Sequence, residues 1–368
     1  MRAQPSTVVT RDELIQALIP DRVRQGAAYQ VPDATGMIKL DAMENPYTWP
    51  QSLRDALAHR LADCALNRYP DPHAEAIRAP LRQWMQIPES LGLLFGNGSD
   101  EIIALLISNL IGTGRSVCAP DPSFVMFQVL ANQYTVPFRA LPLDSEFDID
   151  IDGWMDGLME ADPALIFIPQ PNNPTGNLFS KDRLTQIVES TQALIVIDEA
   201  YTAFTDADYL DWAVRYPNVV VMRTLSKVGL AGSRFGMLIG HPDWIVEFDK
   251  IRLPYNINVM SQTAVQFALE HASTLEEQSR RIRDERTRLT ALLAQRGYTV
   301  WPSEANFVVV ECGDQSARTL FEGLKQHRIL VKCLDGSHPR LANTLRLTVG
   351  TPEESDALLA ALDQLVSS

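Results

Sequence analysis

Between about Ala119 and Gly240, short apolar runs rich in β-branched residues alternate with stretches in which apolar positions recur at helical spacing. In chain order these are SVCAP, a helical pattern from Phe124 to Asn132, ALIFIP, a second helical pattern from Lys181 to Ser190, and then ALIVID, VVVMRT and MLIG. Strands alternating with amphipathic helices predict βαβ units and a mainly parallel sheet. Beyond Asp243 the pattern changes. Long helical periodicities run from Ser261 to His271 and from Leu275 to Gln295. They are followed by the strand ANFVVVEC, a helix from about Ser316 to His327, the strands RILVK and TLRLTVG, and a last helix from Glu353. The expected fold class is therefore α/β, with a large domain whose mainly parallel sheet lies between helices and a smaller α+β domain at the C-terminal end.

The first thirty residues mix charge with Pro20 and Gly26 and carry one short helical pattern, Arg11 to Ile19. They read as an arm, residues 1–30, that packs on something else. The large domain is expected over residues 31–245 and the small one over 246–368. A chain of 368 residues is long enough for two such cores.

Charge narrows the partners. With 46 acidic against 32 basic side chains the formal charge is −14, which repels a phosphate backbone or an anionic lipid surface. Neither nucleic acid nor membrane is expected as a partner, although a local group of bases can still hold one small anion. The start, MRAQPSTVVTRDELIQ, lacks the apolar run of a signal peptide, and no run of 18 apolar residues occurs anywhere. Cys64, Cys118, Cys312 and Cys333 stand in no metal-ligand spacing, so no metal site is expected and reduced thiols in a cytoplasmic protein are the simplest reading.

The sharpest chemical signal is TLSKVGLAGSRFG, residues 224–236, directly after the apolar strand VVVMR. Open α/β sheets bind ligands outside the carboxyl ends of their strands. Lys227, flanked by Thr224 and Ser226 and followed by Arg234, stands at such a place and is a candidate Schiff-base lysine. The preceding strand ends in IDEAYTAF, so Asp198 closes an apolar run, and a carboxylate buried there is costly unless it meets a cation. Alone, Asp198 would read as an ordinary cap or ion pair. With Asn173 of PQPNNPTGNLFS, Tyr201 and Lys227 at the ends of neighbouring strands, one pocket is the better account. In FGNGSDEIIALLISNL, two glycines precede Ser99 and Asp100, which open an apolar helix. Its free N–H groups and dipole suit a phosphate as well as an ordinary N-cap.

The order GNGSDE, NNPTG, DEAY and TLSK with an arginine downstream resembles the fold-type I pyridoxal-phosphate (PLP) aminotransferases. More narrowly, DAMENPY, NRYPDP, AGSRFG and LRLTVGTPEE resemble the histidinol-phosphate aminotransferase family. The likeness runs from about Val23 to the C-terminus. It implies pyridoxal 5'-phosphate as cofactor, with Lys227 as its covalent anchor and Asp198 against its ring nitrogen. Asn173 and Tyr201 are implied at its phenolate oxygen. Ser99, Asp100, Thr224, Ser226 and Arg234 are implied around its phosphate, and Phe124 as a ring stacked on it. Tyr69 matches a tyrosine that reaches the neighbouring subunit's cofactor phosphate, which implies a homodimer. Arg346 matches the arginine for the substrate's anionic group, and Lys332 stands near where the family often has a second arginine. Tyr29, Asn45 and Tyr47 are candidates for lining the substrate pocket. The spacing from Lys227 to Arg234 is one residue shorter than the commoner family pattern.

The implied reaction is amino transfer between L-histidinol phosphate and 2-oxoglutarate, in histidine biosynthesis, giving imidazole acetol phosphate and L-glutamate. Two relatives of the same scaffold remain as alternatives, an aromatic amino-acid aminotransferase and a threonine-phosphate decarboxylase.

Overall fold

A computed structural model of the chain describes residues 9–28 and 31–367. Seven strands form one sheet in the order Gly92–Asn97, Phe235–Gly240, Val219–Thr224, Leu194–Asp198, Pro163–Pro169, Ser116–Asp121 and Phe138–Pro142. All neighbours run parallel except Phe235–Gly240, which is antiparallel to the strands on both sides of it. The alternation along each strand explains why the sheet is covered twice. Ile195, Ile197, Val219 and Val221 fall into one apolar cluster, while Leu194, Val196, Val220 and Met222 fall into the other, on the opposite face. Helices cover both faces. Lys181–Ser190 packs Leu184, Ile187 and Val188 into the first cluster, and Ser99–Ser108 packs Ile102, Ile103, Leu106 and Ile107 into the second.

A second sheet, antiparallel and four-stranded, is ordered Lys332–Cys333, Thr344–Thr348, Phe307–Glu311, Thr299–Val300. One of its faces, through Val308, Val310, Leu345 and Leu347, packs in one cluster with residues of Ala317–Gln326 and Pro352–Ser367. The other face, carrying Phe307 and Val309, clusters with Tyr201 and Met43. The 24-residue helix Ala272–Gln295 spans both regions, with Leu275 in the first large cluster and Leu289 and Leu293 in that of the second sheet.

The structure departs from the sequence pattern in several elements. RILVK is not one strand. Ile329–Leu330 pairs in parallel with Ile38–Lys39, whereas Lys332–Cys333 pairs with Leu345 and Arg346, so the chain changes partner at Val331. The edge strands Gly92–Asn97 and Phe138–Pro142 are also absent from the reading, as are the helices Gln51–Ala62, Glu75–Trp84 and Ile151–Ala161. Gln51–Ala62 buries no residue and Glu75–Trp84 contains Pro80, which blunts the helical signal in each. Among the described residues no helix is long and apolar enough to cross a membrane, and no group of three or more His, Cys, Asp or Glu side chains could hold a metal ion.

Candidate active site

Because the parallel strands end together, their terminal side chains share one cavity of about 210 Å³. Its walls include Ser99, Asp100, Phe124, Asn173, Asp198, Tyr201, Thr224, Ser226, Lys227 and Arg234. Ten of the residues singled out from the sequence thus meet in one place.

The floor is acidic. Asp198 is the last residue of Leu194–Asp198 and sits, like Leu194 and Val196, on the face turned toward the cavity. Its carboxylate accepts a hydrogen bond from the Ala200 N–H at 3.1 Å, and no cation of the described residues pairs with it. The cationic partner expected from the sequence is therefore not supplied by a protein ion pair. Burial pushes Asp198 up to about 7, with the Asp100 and Glu199 charges adding to the shift.

Facing this acid is Lys227, in a loop of unusual shape. Residues Ser226–Leu230 form a single π-helical turn with Gly229 at φ +127°, and Ala231–Ser233 a short 3₁₀ turn. Arg234 then adopts the left-handed conformation at φ +50°. This compact path accommodates the seven-residue separation and brings the Arg234 guanidinium to Asp100 at 3.0 Å, beside Gly98. Lys227 Nζ donates to the Ala42 carbonyl at 3.3 Å and lies 5.9 Å from the Tyr201 ring centroid. Burial, then the nearby Arg346 charge, push the Lys227 amine down to about 8.

At the opposite end, hydroxyls and backbone N–H groups converge. Thr224 Oγ1 and Ser226 Oγ are 2.9 Å apart, next to the first turn of Ser99–Ser108. Gly236 permits that approach, because a Cβ there would stand 2.6 Å from the Ser99 nitrogen. The upper wall carries Asn173 and, behind it, Arg346. The guanidinium donates to Asn173 Oδ1 at 2.6 Å and to the Asp41 carbonyl at 2.9 Å. Tyr201 is buried against Phe307, and burial raises its phenol well above the ordinary range. Phe124 borders the cavity and meets Phe127 edge-on.

The remaining candidates fall elsewhere. Lys332 is exposed and stands directly across from Arg346 in the sheet register, hence on the same face. It borders a second cavity, which Arg346 also lines. Tyr69 is 82 % exposed and stacks on Tyr255 with ring centroids 4.6 Å apart, away from its own cavity. Asn45 does not line the cavity. Its amide donates to the Val228 carbonyl and to Gln278 Oε1, both at 2.9 Å, while its Oδ1 accepts from the Tyr47 N–H at 2.9 Å. Tyr47 lies under the Arg281 guanidinium, 3.9 Å from its ring centroid. Tyr29 lies outside the described residues.

Two features escaped the sequence reading. Glu44 borders the cavity and pairs with Lys39 at 2.7 Å. Behind Asp198 and Thr224, the adjacent residues Glu199 and Arg223 form a buried pair at 2.6 Å. Strand alternation foretells the second: charges next to two cavity-facing residues must turn to the other side of the sheet, where opposite signs on paired strands meet.

A family model of aminotransferase class I and II matches residues 35–362. A histidinol-phosphate aminotransferase of Ralstonia nicotianae is 44 % identical over 367 residues, covering 98 % of this chain and 98 % of the relative. One from Nitrosococcus oceani is 43 % identical, covering 96 % and 98 %. The chain therefore belongs to the class I and II aminotransferases and, within them, to the histidinol-phosphate aminotransferase family. The fold agrees. A solved histidinol-phosphate aminotransferase from Sinorhizobium meliloti, in complex with pyridoxal-5'-phosphate, superposes with a TM-score of 0.84 at 23 % identity, covering 95 % of this chain and 98 % of that one. An L-threonine-O-3-phosphate decarboxylase from Porphyromonas gingivalis gives 0.72 at 19 % identity, covering 90 % and 100 %, so the fold alone does not choose between the two activities.

Proposed function

We propose that this protein transfers an amino group between L-histidinol phosphate and 2-oxoglutarate, with pyridoxal 5'-phosphate as cofactor, as a step of histidine biosynthesis in the cytoplasm. The observation that carries the chemistry is the presence of Asp198 and Lys227 in one cavity: a buried carboxylate that forms no ion pair among the described residues, and an amine depressed to about 8. The 43–45 % identity to curated family members over nearly the whole chain carries the choice of substrate.

The donor set fits this cofactor. A carboxylate lacking a cation suits a protonated ring nitrogen, and the Thr224 and Ser226 hydroxyls, Arg234 and the N–H groups of Ser99 and Asp100 suit a phosphate. Asn173 and Tyr201 would hold the phenolate oxygen, and Phe124 would cover the ring. When bound, PLP supplies an aldehyde that takes up amino groups and a ring that accepts the electron pair released at the substrate's α-carbon. Lys227 Nζ would anchor the aldehyde at rest. Freed by the incoming amine, it would take the proton from the substrate's α-carbon, a task suited to an amine with its pKa near neutrality. Asp198 would keep the ring nitrogen protonated. Arg346, and Lys332 beside it, would hold the phosphate of one substrate and the carboxylate of the other.

A homodimer completes the proposal, with Tyr69 reaching the partner's phosphate site. Its support is the exposure of Leu66, Tyr69, Leu253 and Tyr255 on segments that touch through the stacked Tyr69 and Tyr255 rings. The working division into an arm, a large cofactor-binding domain and a small domain from about residue 246 is part of the same proposal. A panel of histidinol phosphate, phenylalanine, tyrosine and threonine phosphate, each assayed with 2-oxoglutarate, tests the reading. Preference for phenylalanine or tyrosine, or release of carbon dioxide from threonine phosphate, would replace it.

A further inference from the structure

The turn that carries Lys227 is held from outside the sheet. The turn Ser226–Leu230 departs from helical backbone at Gly229, φ +127°, and the carbonyl just before that break, Val228, is met by the Asn45 amide at 2.9 Å. The second hydrogen of that amide goes to Gln278 Oε1 at 2.9 Å, and Asn45 Oδ1 accepts from the Tyr47 N–H at 2.9 Å. Gln278 is buried in the long helix Ala272–Gln295, and its own amide donates to the Thr48 carbonyl at 3.3 Å. The approach is close: a Cβ on Gly229 would stand 3.0 Å from Asn45 Nδ2. Three residues before Asn45, the Ala42 carbonyl receives the Lys227 amine. The short segment from Ala42 to Asn45 therefore grips the lysine and its turn at two points. The same segment is fixed to the second sheet, because Met43 N donates to Thr348 Oγ1 at 3.0 Å and Asn306 donates to the Met43 carbonyl at 2.9 Å.

We propose that Asn45 is a positioning residue, which sets the reach of the Lys227 amine by clamping the Val228 carbonyl to the segment 42–45 and to Gln278. The inference rests on the aminotransferase reading of the site. It replaces the pocket-lining role that the sequence suggested for Asn45 with one exerted through the lysine turn. A misplaced reacting group costs on the order of a hundredfold for an ångström of displacement, so loosening the clamp should reach the chemistry without touching substrate.

Asn45→Asp is the decisive variant. It keeps the oxygen that accepts from Tyr47 N–H, so the local turn survives, but puts an acceptor where Val228 and Gln278 need a donor. Holoenzyme carrying Asn45→Asp or Asn45→Ala is expected to lose about ten- to a hundredfold in kcat with both the amino donor and the keto acid. KM should be nearly unchanged for both, and the pH midpoint of the visible absorbance of resting holoenzyme should move by about half a unit or more. Gln278→Met, which removes one of the two acceptors, should show the same changes in smaller degree. Wild-type kcat and an unmoved absorbance midpoint in Asn45→Asp would overturn the proposal, since the residue would then serve only the turn at Tyr47. A rise in KM for one substrate with the midpoint unmoved would restore a pocket-lining role and also overturn it. If wild-type protein incubated with PLP and then freed of unbound cofactor by gel filtration retains no visible absorbance, the cofactor reading fails first, which separates the two failures.

Discussion

Asp198 and Lys227 are held in the states that make them least comfortable alone, and that discomfort gives measurable signs. In the cofactor-free protein Asp198 titrates near 7 rather than near the usual carboxylate value. The folded state thus keeps a proton between about pH 4 and 7 that the unfolded chain has released, and this contribution to stability is lost as pH rises through about 7. Asp198→Asn has no such charge to accommodate. Its apoprotein should match wild type in melting temperature near pH 4, become increasingly more stable than wild type up to about pH 7, and keep a constant advantage above it. A difference independent of pH would show that Asp198 is ionised throughout. In the holoenzyme the same substitution should be harmful. Breaking a buried charge pair from one side is typically worth ~3 to 5 kcal/mol, and each ~1.4 kcal/mol is tenfold in rate, so steady-state turnover should fall by about a hundredfold or more. Lys227, lowered to about 8, makes a complementary prediction. Only the neutral amine attacks an aldehyde, so the rate at which apoprotein takes up PLP covalently should rise with pH around a midpoint near 8. Lys227→Ala should bind PLP only noncovalently and lose turnover.

Elements whose signal is local were the legible ones. The helix Lys181–Ser190 has the bounds its periodicity predicts, and the strand ends bearing Asp198 and Thr224 lie where the apolar runs stop. Asn45 was not legible, because its direction depends on a glutamine more than two hundred residues away. The break at Val331 was hidden for a similar reason: RILVK is uniformly strand-like, and only the distant partners Ile38 and Leu345 decide where it divides. That break matters for Lys332. By leaving the first pairing and entering the second sheet, the chain brings Lys332 opposite Arg346 on one face, a like-charge pair that is unfavourable unless an anion lies nearby. Histidinol phosphate carries nearly two negative charges where an amino acid carries one carboxylate. A charge-assisted hydrogen bond contributes roughly 1.5 to 3 kcal/mol, so Lys332→Ala should lower kcat/KM for histidinol phosphate by about ten- to a hundredfold. Glutamate should suffer less, whereas Arg346→Ala should damage both. Equal losses for the two substrates in Lys332→Ala would make Lys332 a general surface charge rather than the second phosphate ligand.

At the scale of the whole molecule the question is whether one chain makes a complete site. The cavity of a single chain contains Lys227, Asp198 and the phosphate-end donors, but Tyr69 does not line it and is stacked on Tyr255 over the contact between segments 64–71 and 255–263. Tyr69 and Tyr255, with the exposed Leu66 and Leu253 beside them, form the apolar patch on which the proposed dimer would rest. In a two-fold dimer every contact occurs twice, so if Tyr69 of one chain reached the partner's cavity each chain would lend its Tyr69 to the other's site. Such sharing has a consequence that no monomeric arrangement reproduces. Tyr69→Ala and Lys227→Ala subunits, each impaired alone, should regain activity when mixed and allowed to exchange, because one of the two sites in a mixed dimer combines an intact Lys227 from one chain with an intact Tyr69 from the other. With random pairing of equal amounts, half of the dimers are mixed and half of their sites are intact, giving about a quarter of wild-type activity. Mixed dimers demonstrated by mass spectrometry of differently tagged subunits, yet no more active than the sum of the two parents, would show that each chain completes its own site.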